Sequence, residues 1–136
     1  MSAATAEVQA HENRKLKLMI CDDSNIIRRK IERELKIERL EVIATASNGR
    51  IAVETFRKQP ADVVTMDITM PEMDGIECVE KLVAIKPDVL ILVISALSDK
   101  ATAIEALKNG ANVFLCKPFT DRQLTEALEE LLRGAP

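Results

Sequence analysis

Five short apolar runs divide the chain, and a stretch with helical spacing follows each of them. Leu16–Cys21, Glu41–Thr45, Val63–Met66, Val89–Ile94 and Asn112–Cys116 read as strands. The third is a continuous apolar run and the fourth is the most apolar, which suits strands covered on both faces in a parallel sheet. After the first strand, Ile27, Ile31 and Leu35 mark a helical stripe, with Ser24 or Asp23 as its cap. Its wet faces carry Arg28, Arg29, Lys30, Glu32, Arg33 and Glu34, read as a solvated surface, with a docking patch as the alternative. Ser47-Asn48-Gly49 turns into a second helix with Ile51, Ala52 and Phe56 inward, ended by Pro60. Gly75 opens a third, with Ile76, Val79 and Leu82 or Val83 inward and Pro87 closing it. Asp99 or Ser98 caps a fourth, which carries Ile104 and Leu107 and stops at Asn109-Gly110. Thr120 and Gln123 form a capping box for the last helix, whose apolar positions are Leu124, Leu128, Leu131 and Leu132.

Strands that alternate with helices require crossover connections, and these are right-handed in nearly all sheets. The pattern predicts a three-layer, doubly wound α/β fold built on a parallel sheet. Ligands of such sheets bind in the crevice at the carboxyl ends of the strands, and the crevice should open beside the first strand. Residues 15–133 form the predicted domain. Residues 1–14 have no period and read as a mobile arm, or at most an irregular helical turn; residues 134–136 are a tail. His11, within the arm, reads as solvated.

A length of 136 residues suits one domain with an adequate core. Aromatic residues are only 2%, so the core is aliphatic and no stacking platform for single strands is offered. A net charge of −3 argues against direct nucleic-acid binding. Cys21, Cys78 and Cys116 are odd in number and widely spaced, which fits neither a disulfide framework nor a zinc site. Reduced thiols, no apolar run near the ~20 residues a span requires and no signal-like start predict a cytoplasmic protein outside the membrane.

Polar groups that strand propensity does not ask for stand at four strand ends: Asp22 and Asp23, Asp67, Ser95 and Lys117. A parallel sheet brings all of these ends to one edge. Carboxylates placed together raise one another's pKa unless a cation joins them. Two or three carboxylates with waters make an open oxygen site suited to Mg2+, and Mg2+ with a lysine neutralises a phosphoryl group in transfer. A carboxylate can itself be the nucleophile. Asp67, from a central strand, is the best nucleophile, with Asp22 and Asp23 left to hold the metal.

The chain resembles the receiver domains of two-component response regulators, close to the single-domain chemotaxis type. The matching pieces are Asp22-Asp23, the stretch Met66-Asp67-Ile68-Thr69-Met70-Pro71-Glu72-Met73-Asp74-Gly75, Ser95-Ala96 and Lys117-Pro118-Phe119. Together they are specific; Asp-Asp or Lys-Pro alone would not be. The resemblance implies a flavodoxin-like five-stranded parallel sheet, in the order 2-1-3-4-5, with five helices. It implies that Asp67 accepts a phosphoryl group from a sensor histidine kinase or a phosphotransfer protein. Asp22, Asp23, Asp67 and the backbone carbonyl of Thr69 would bind Mg2+, and Lys117 would contact the phosphoryl oxygens. Ser95 would hydrogen-bond them and draw its loop inward, with Phe114 as an aromatic switch. An effector would dock on residues 99–133 or so. Thr69 and Leu97, two positions after Asp67 and Ser95, occupy places that tune dephosphorylation. The hydroxyl of a switch tyrosine is missing at Phe114.

Plainer readings stand beside these. Ser95 alone suits an ordinary turn, Phe114 suits plain core equally well, and Cys116 suits packing better than redox sensing. At the level of the whole chain, the expectation is a signalling phosphoacceptor with only weak self-phosphorylating and self-dephosphorylating chemistry, monomeric, with a dimer as the alternative. One competing class is a phosphohydrolase of the haloacid-dehalogenase type, which usually carries a second Asp where Thr69 stands. Another is a receiver-like binding module that works without phosphorylation.

Overall fold

The computed structural model describes residues 15–34, 39–70 and 73–134. The strands are β1 (Leu16–Cys21), β2 (Leu40–Ala46), β3 (Val63–Asp67), β4 (Leu90–Ala96) and β5 (Val113–Lys117). The helices are α1 (Asn25–Glu34), α2 (Gly49–Lys58), α3 (Gly75–Ile85), α4 (Lys100–Lys108) and α5 (Asp121–Leu132), with a short 3-10 turn at Leu97–Asp99 before α4. All strand pairs are parallel and the order is β2-β1-β3-β4-β5. This is the flavodoxin-like order expected of the chain.

Alternation along each strand divides the core in two. Met19, Cys21, Val64, Met66, Ile91 and Val93 face α2, α3 and α4, where Phe56, Val79, Leu82 and Ala106 meet them. Leu18, Ile20, Val63, Leu92 and Ile94 face α1 and α5, against Ile31, Leu124, Leu128 and Leu131. Strands β3 and β4 are buried almost throughout, as their unbroken apolar runs require.

The caps follow the local chemistry. Ser24 Oγ accepts from the Ile27 amide at 3.2 Å and opens α1. Asn48 Oδ1 accepts from Ile51 at 2.8 Å, and Asp74 Oδ1 from Ile76 at 2.8 Å. Thr120 and Gln123 close the capping box at the start of α5.

Some details depart from expectation. Asp99 makes no side-chain cap for α4, because the 3-10 turn occupies the approach. Ile104 is 42% exposed, and Ala103 and Ala106 are the buried positions of α4 instead. Two small side chains let this helix approach the sheet, which turns the larger one toward solvent. Cys78 joins Val79 and Leu82 on the buried face of α3. β2, β3, β4 and β5 each run one or two residues further at their carboxyl ends than their apolar runs. Lys30, read as solvated, is half-buried and engaged. Leu35, the arm at 1–14 and the end of the tail lie outside the described residues.

Candidate functional site

Parallel register brings the polar strand ends together. Cys21 pairs with Met66, so Asp22 and Asp67 stand side by side just beyond that pair. Asp67 pairs with Ile94, which places Ser95 one step further along β4; Ala96 in turn pairs with Lys117. Asp22 and Asp67 are buried while Asp23 is exposed. Carboxylate oxygens of Asp22, Asp23 and Asp67 all lie within 4.8 Å of one another.

Lys117 bridges the two buried acids, with Nζ 3.1 Å from Asp22 Oδ2 and 3.2 Å from Asp67 Oδ2. The bond to Asp67 is an aligned hydrogen bond. The contact to Asp22 is close enough for an ion pair without being so aligned, and it leaves Asp22 Oδ2 short of a hydrogen-bond donor. The other oxygens are held locally. Asp22 Oδ1 accepts from the Ser24 amide at 2.9 Å. Asp67 Oδ1 accepts from both the amide (2.9 Å) and the hydroxyl (2.8 Å) of Thr69. Ser95 Oγ is buried with no partner among the described residues.

The electrostatics follow from this crowding. Burial raises the Asp22 pKa, and the charge of Asp67 adds to the rise; the Ser24 amide and Lys117 oppose it. Burial pulls the Lys117 ammonium down, but the charges of Asp67 and Asp22, with the hydrogen bond to Asp67, outweigh it, so its pKa is raised. Lys117 therefore stays charged and partly neutralises the buried acids.

The donor set fits a hard divalent cation. Among the described residues it consists of carboxylate oxygens only, two buried and one facing water, and one buried oxygen lacks a hydrogen bond. Thiolates do not compete: burial raises the thiol of Cys21, and that of Cys78 is pushed up to about 12.

Asp22, Asp23, Asp67 and Lys117 thus converge as expected, with Ser95 on the adjacent strand end. Phe114 does not join them. It is half-buried on the face of β5 that meets α2, α3 and α4, opposite to Lys117. It pairs with Val93, two residues before Ser95 and on the same face as Ser95. The Leu97 side chain lies outside what is described.

Three contacts have no counterpart in the sequence reading. The Thr69 hydroxyl on Asp67 adds to a turn that had a local signal, since an Asp side chain often bonds the backbone amide two residues on. Arg28 donates to the Asp22 carbonyl, and Lys30 donates to the Phe119 carbonyl. Only tertiary structure reveals the last, which links residues 89 apart. The Lys117–Pro118 bond is cis.

Residues 18–129 match the family described as the response regulator receiver domain. The chain is 40% identical over 115 residues to the chemotaxis protein CheY of Listeria monocytogenes, covering 85% of this chain and 97% of that one. It is equally similar to CheY of Thermotoga maritima, over 85% of this chain and 96% of the relative. Among solved structures, the response regulator domain of Thermotoga maritima CheB aligns with a TM-score of 0.77 at 33% identity, over 89% of this chain and 96% of that one. The CheX-CheY-BeF3-Mg complex from Borrelia burgdorferi aligns with a TM-score of 0.79 at 28% identity, over 91% and 92%. With the sheet order, the acidic strand ends and the bridging lysine all in place, this chain belongs to the response regulator receiver domain family.

Proposed function

We propose that the protein is a receiver in which Asp67 accepts a phosphoryl group from a sensor histidine kinase or a phosphotransfer protein. The reading rests on one observation above others: Asp67, buried at a strand end, is grouped with Asp22 and Asp23 and bridged by Lys117. An Asp67 carboxylate oxygen attacks phosphorus, the phosphorus–nitrogen bond of the donor phosphohistidine breaks, and its electron pair leaves with the imidazole. The product is an acyl phosphate on Asp67. Asp22, Asp23, Asp67 and the backbone carbonyl of Thr69 would hold Mg2+, which would supply charge neutralisation for the phosphoryl group when bound. The similar Borrelia CheY complex holds Mg2+ together with BeF3, which supports a Mg2+ site here.

Lys117 already faces Asp67 Oδ2 and follows the charge onto the phosphoryl group. The unpartnered Ser95 hydroxyl donates to a phosphoryl oxygen and draws the β4–α4 segment inward. Phe114, on the same face, repacks in response, and the surface formed by residues 99–133 or so changes its affinity for an effector protein. Residues 15–133 are the receiver unit, with 1–14 as an arm and 134–136 as a tail. The protein works as a cytoplasmic monomer without direct nucleic-acid contact. Among the described residues, no helix is long and apolar enough to cross a membrane.

The experiment is labelling by acetyl phosphate with Mg2+. One acid-stable, base-labile phosphoryl group per chain is expected, and none on Asp67→Asn. Retention of the label by that variant overturns the reading. Steady release of phosphate from a monoester beyond one equivalent would favour the phosphohydrolase class instead.

A further inference from the structure

We propose that Lys30 of α1 is a positioning residue for Lys117, acting through the loop that joins β5 to α5. The inference rests on the phosphoacceptor reading of Asp67. Lys30 Nζ donates to the Phe119 carbonyl at 3.0 Å, and the same ammonium stands 5.0 Å from the centroid of the Phe119 ring. Phe119 lies two residues after Lys117 and is itself buried, at 5% exposure, in the core shared by α1 and α5. The loop is thus held at one residue by both its ring and its carbonyl. A hydrogen bond from a charged donor is stronger than a neutral one, and a cation near an aromatic face adds to it.

This grip matters because of what Lys117 must do. Its ammonium has to sit between two buried carboxylates, 3.1 and 3.2 Å away, and then follow charge onto a transferring group. A lysine stem is flexible, so the position of its backbone sets where the charge spends its time. Arg28, two residues before Lys30, does the equivalent at the other strand end by donating to the Asp22 carbonyl. One helix therefore braces both the Asp22 end of β1 and the loop after Lys117. The neighbouring Arg29 is exposed and serves as an internal control.

The test compares wild type, Lys30→Met, Lys30→Arg and Arg29→Met. Initial rates of phosphorylation are measured across acetyl phosphate concentrations in Mg2+, and Mg2+ affinity is measured separately by thermal-shift titration. Lys30→Met should lower the maximal rate about ten-fold while changing the half-saturating donor concentration and the Mg2+ affinity by less than about two-fold. Lys30→Arg should recover the rate to within about three-fold, because a guanidinium can both donate and stack. Arg29→Met should match wild type. An unchanged rate in Lys30→Met, an equal loss in Arg29→Met or a failure of arginine to rescue overturns the proposal. So does a parallel fall in Mg2+ affinity, which would place the effect on the carboxylates. Absence of label on wild type overturns the phosphoacceptor reading and this one together, whereas a labelled wild type with an unaffected Lys30→Met removes Lys30 alone.

Discussion

Asp22 carries the sharpest conflict in the molecule. Its carboxylate is buried beside a second buried carboxylate, and a single ammonium bridges the pair. Burial raises its pKa in the folded state. A carboxyl whose folded pKa lies above its unfolded value contributes stability that is fully present below the unfolded pKa. That stability is lost as pH rises through the folded value. Lys117, also raised, contributes stability that persists until pH climbs above about 10, so it is constant at neutral pH. The contribution of Asp22 to the stability of the metal-free protein should therefore fall as pH rises from about 4 toward neutrality. Asp22→Asn should remove that loss and raise the neutral-pH melting temperature of metal-free protein by a few degrees, equivalent to about 1 kcal/mol. Thermal melts at several pH values in EDTA check this, and a variant less stable than wild type at neutral pH contradicts it. Strand-end acids such as Asp22 and Asp67 were legible in the sequence because nothing in a strand needs a carboxylate there. The Lys30–Phe119 bond was not, because no local pattern encodes a contact across 89 positions.

Among the elements, the segment after Asp67 depends on close approach from two sides. A Cβ at Gly75 would stand 2.5 Å from the Ile68 Cα, and one at Gly49 would stand 2.4 Å from the Met73 Cβ. The first turn of α2 and the first turn of α3 therefore both press on the loop that carries Thr69. Gly49→Ala should push Met73 outward and cost about 1–3 kcal/mol, read by urea unfolding. It should also slow phosphorylation, since Thr69 holds Asp67 Oδ1 from that loop. Full stability with a normal rate would show that the loop yields freely. The strands themselves were legible because unbroken apolar runs leave few alternatives to a sheet covered on both faces. The orientation of α4 was legible only in part. Leu107 packs on the core, but Ala103 and Ala106 contribute little to any hydrophobic period and the larger Ile104 is exposed.

For the whole molecule, the parallel sheet performs two tasks at opposite edges. At the amino ends of the strands, Asp62 accepts from the Lys17 amide and pairs with Lys86, which also holds Asp88. At the carboxyl ends, the acids are left undercompensated, and a cation that binds only the folded state must stabilise it. Mg2+ at about a hundred-fold over its dissociation constant should add about 2.7 kcal/mol, and EDTA should remove it. A melting temperature indifferent to millimolar Mg2+ would argue for a receiver-like module that works without phosphorylation. Asp67, and no other carboxylate, is the proposed site of the acyl phosphate. Treating the protein with acetyl phosphate and Mg2+, reducing it with borohydride and mapping its peptides tests this most directly. Homoserine should appear in place of Asp67 alone; homoserine at Asp22 or Asp23, or at no position, would contradict the account.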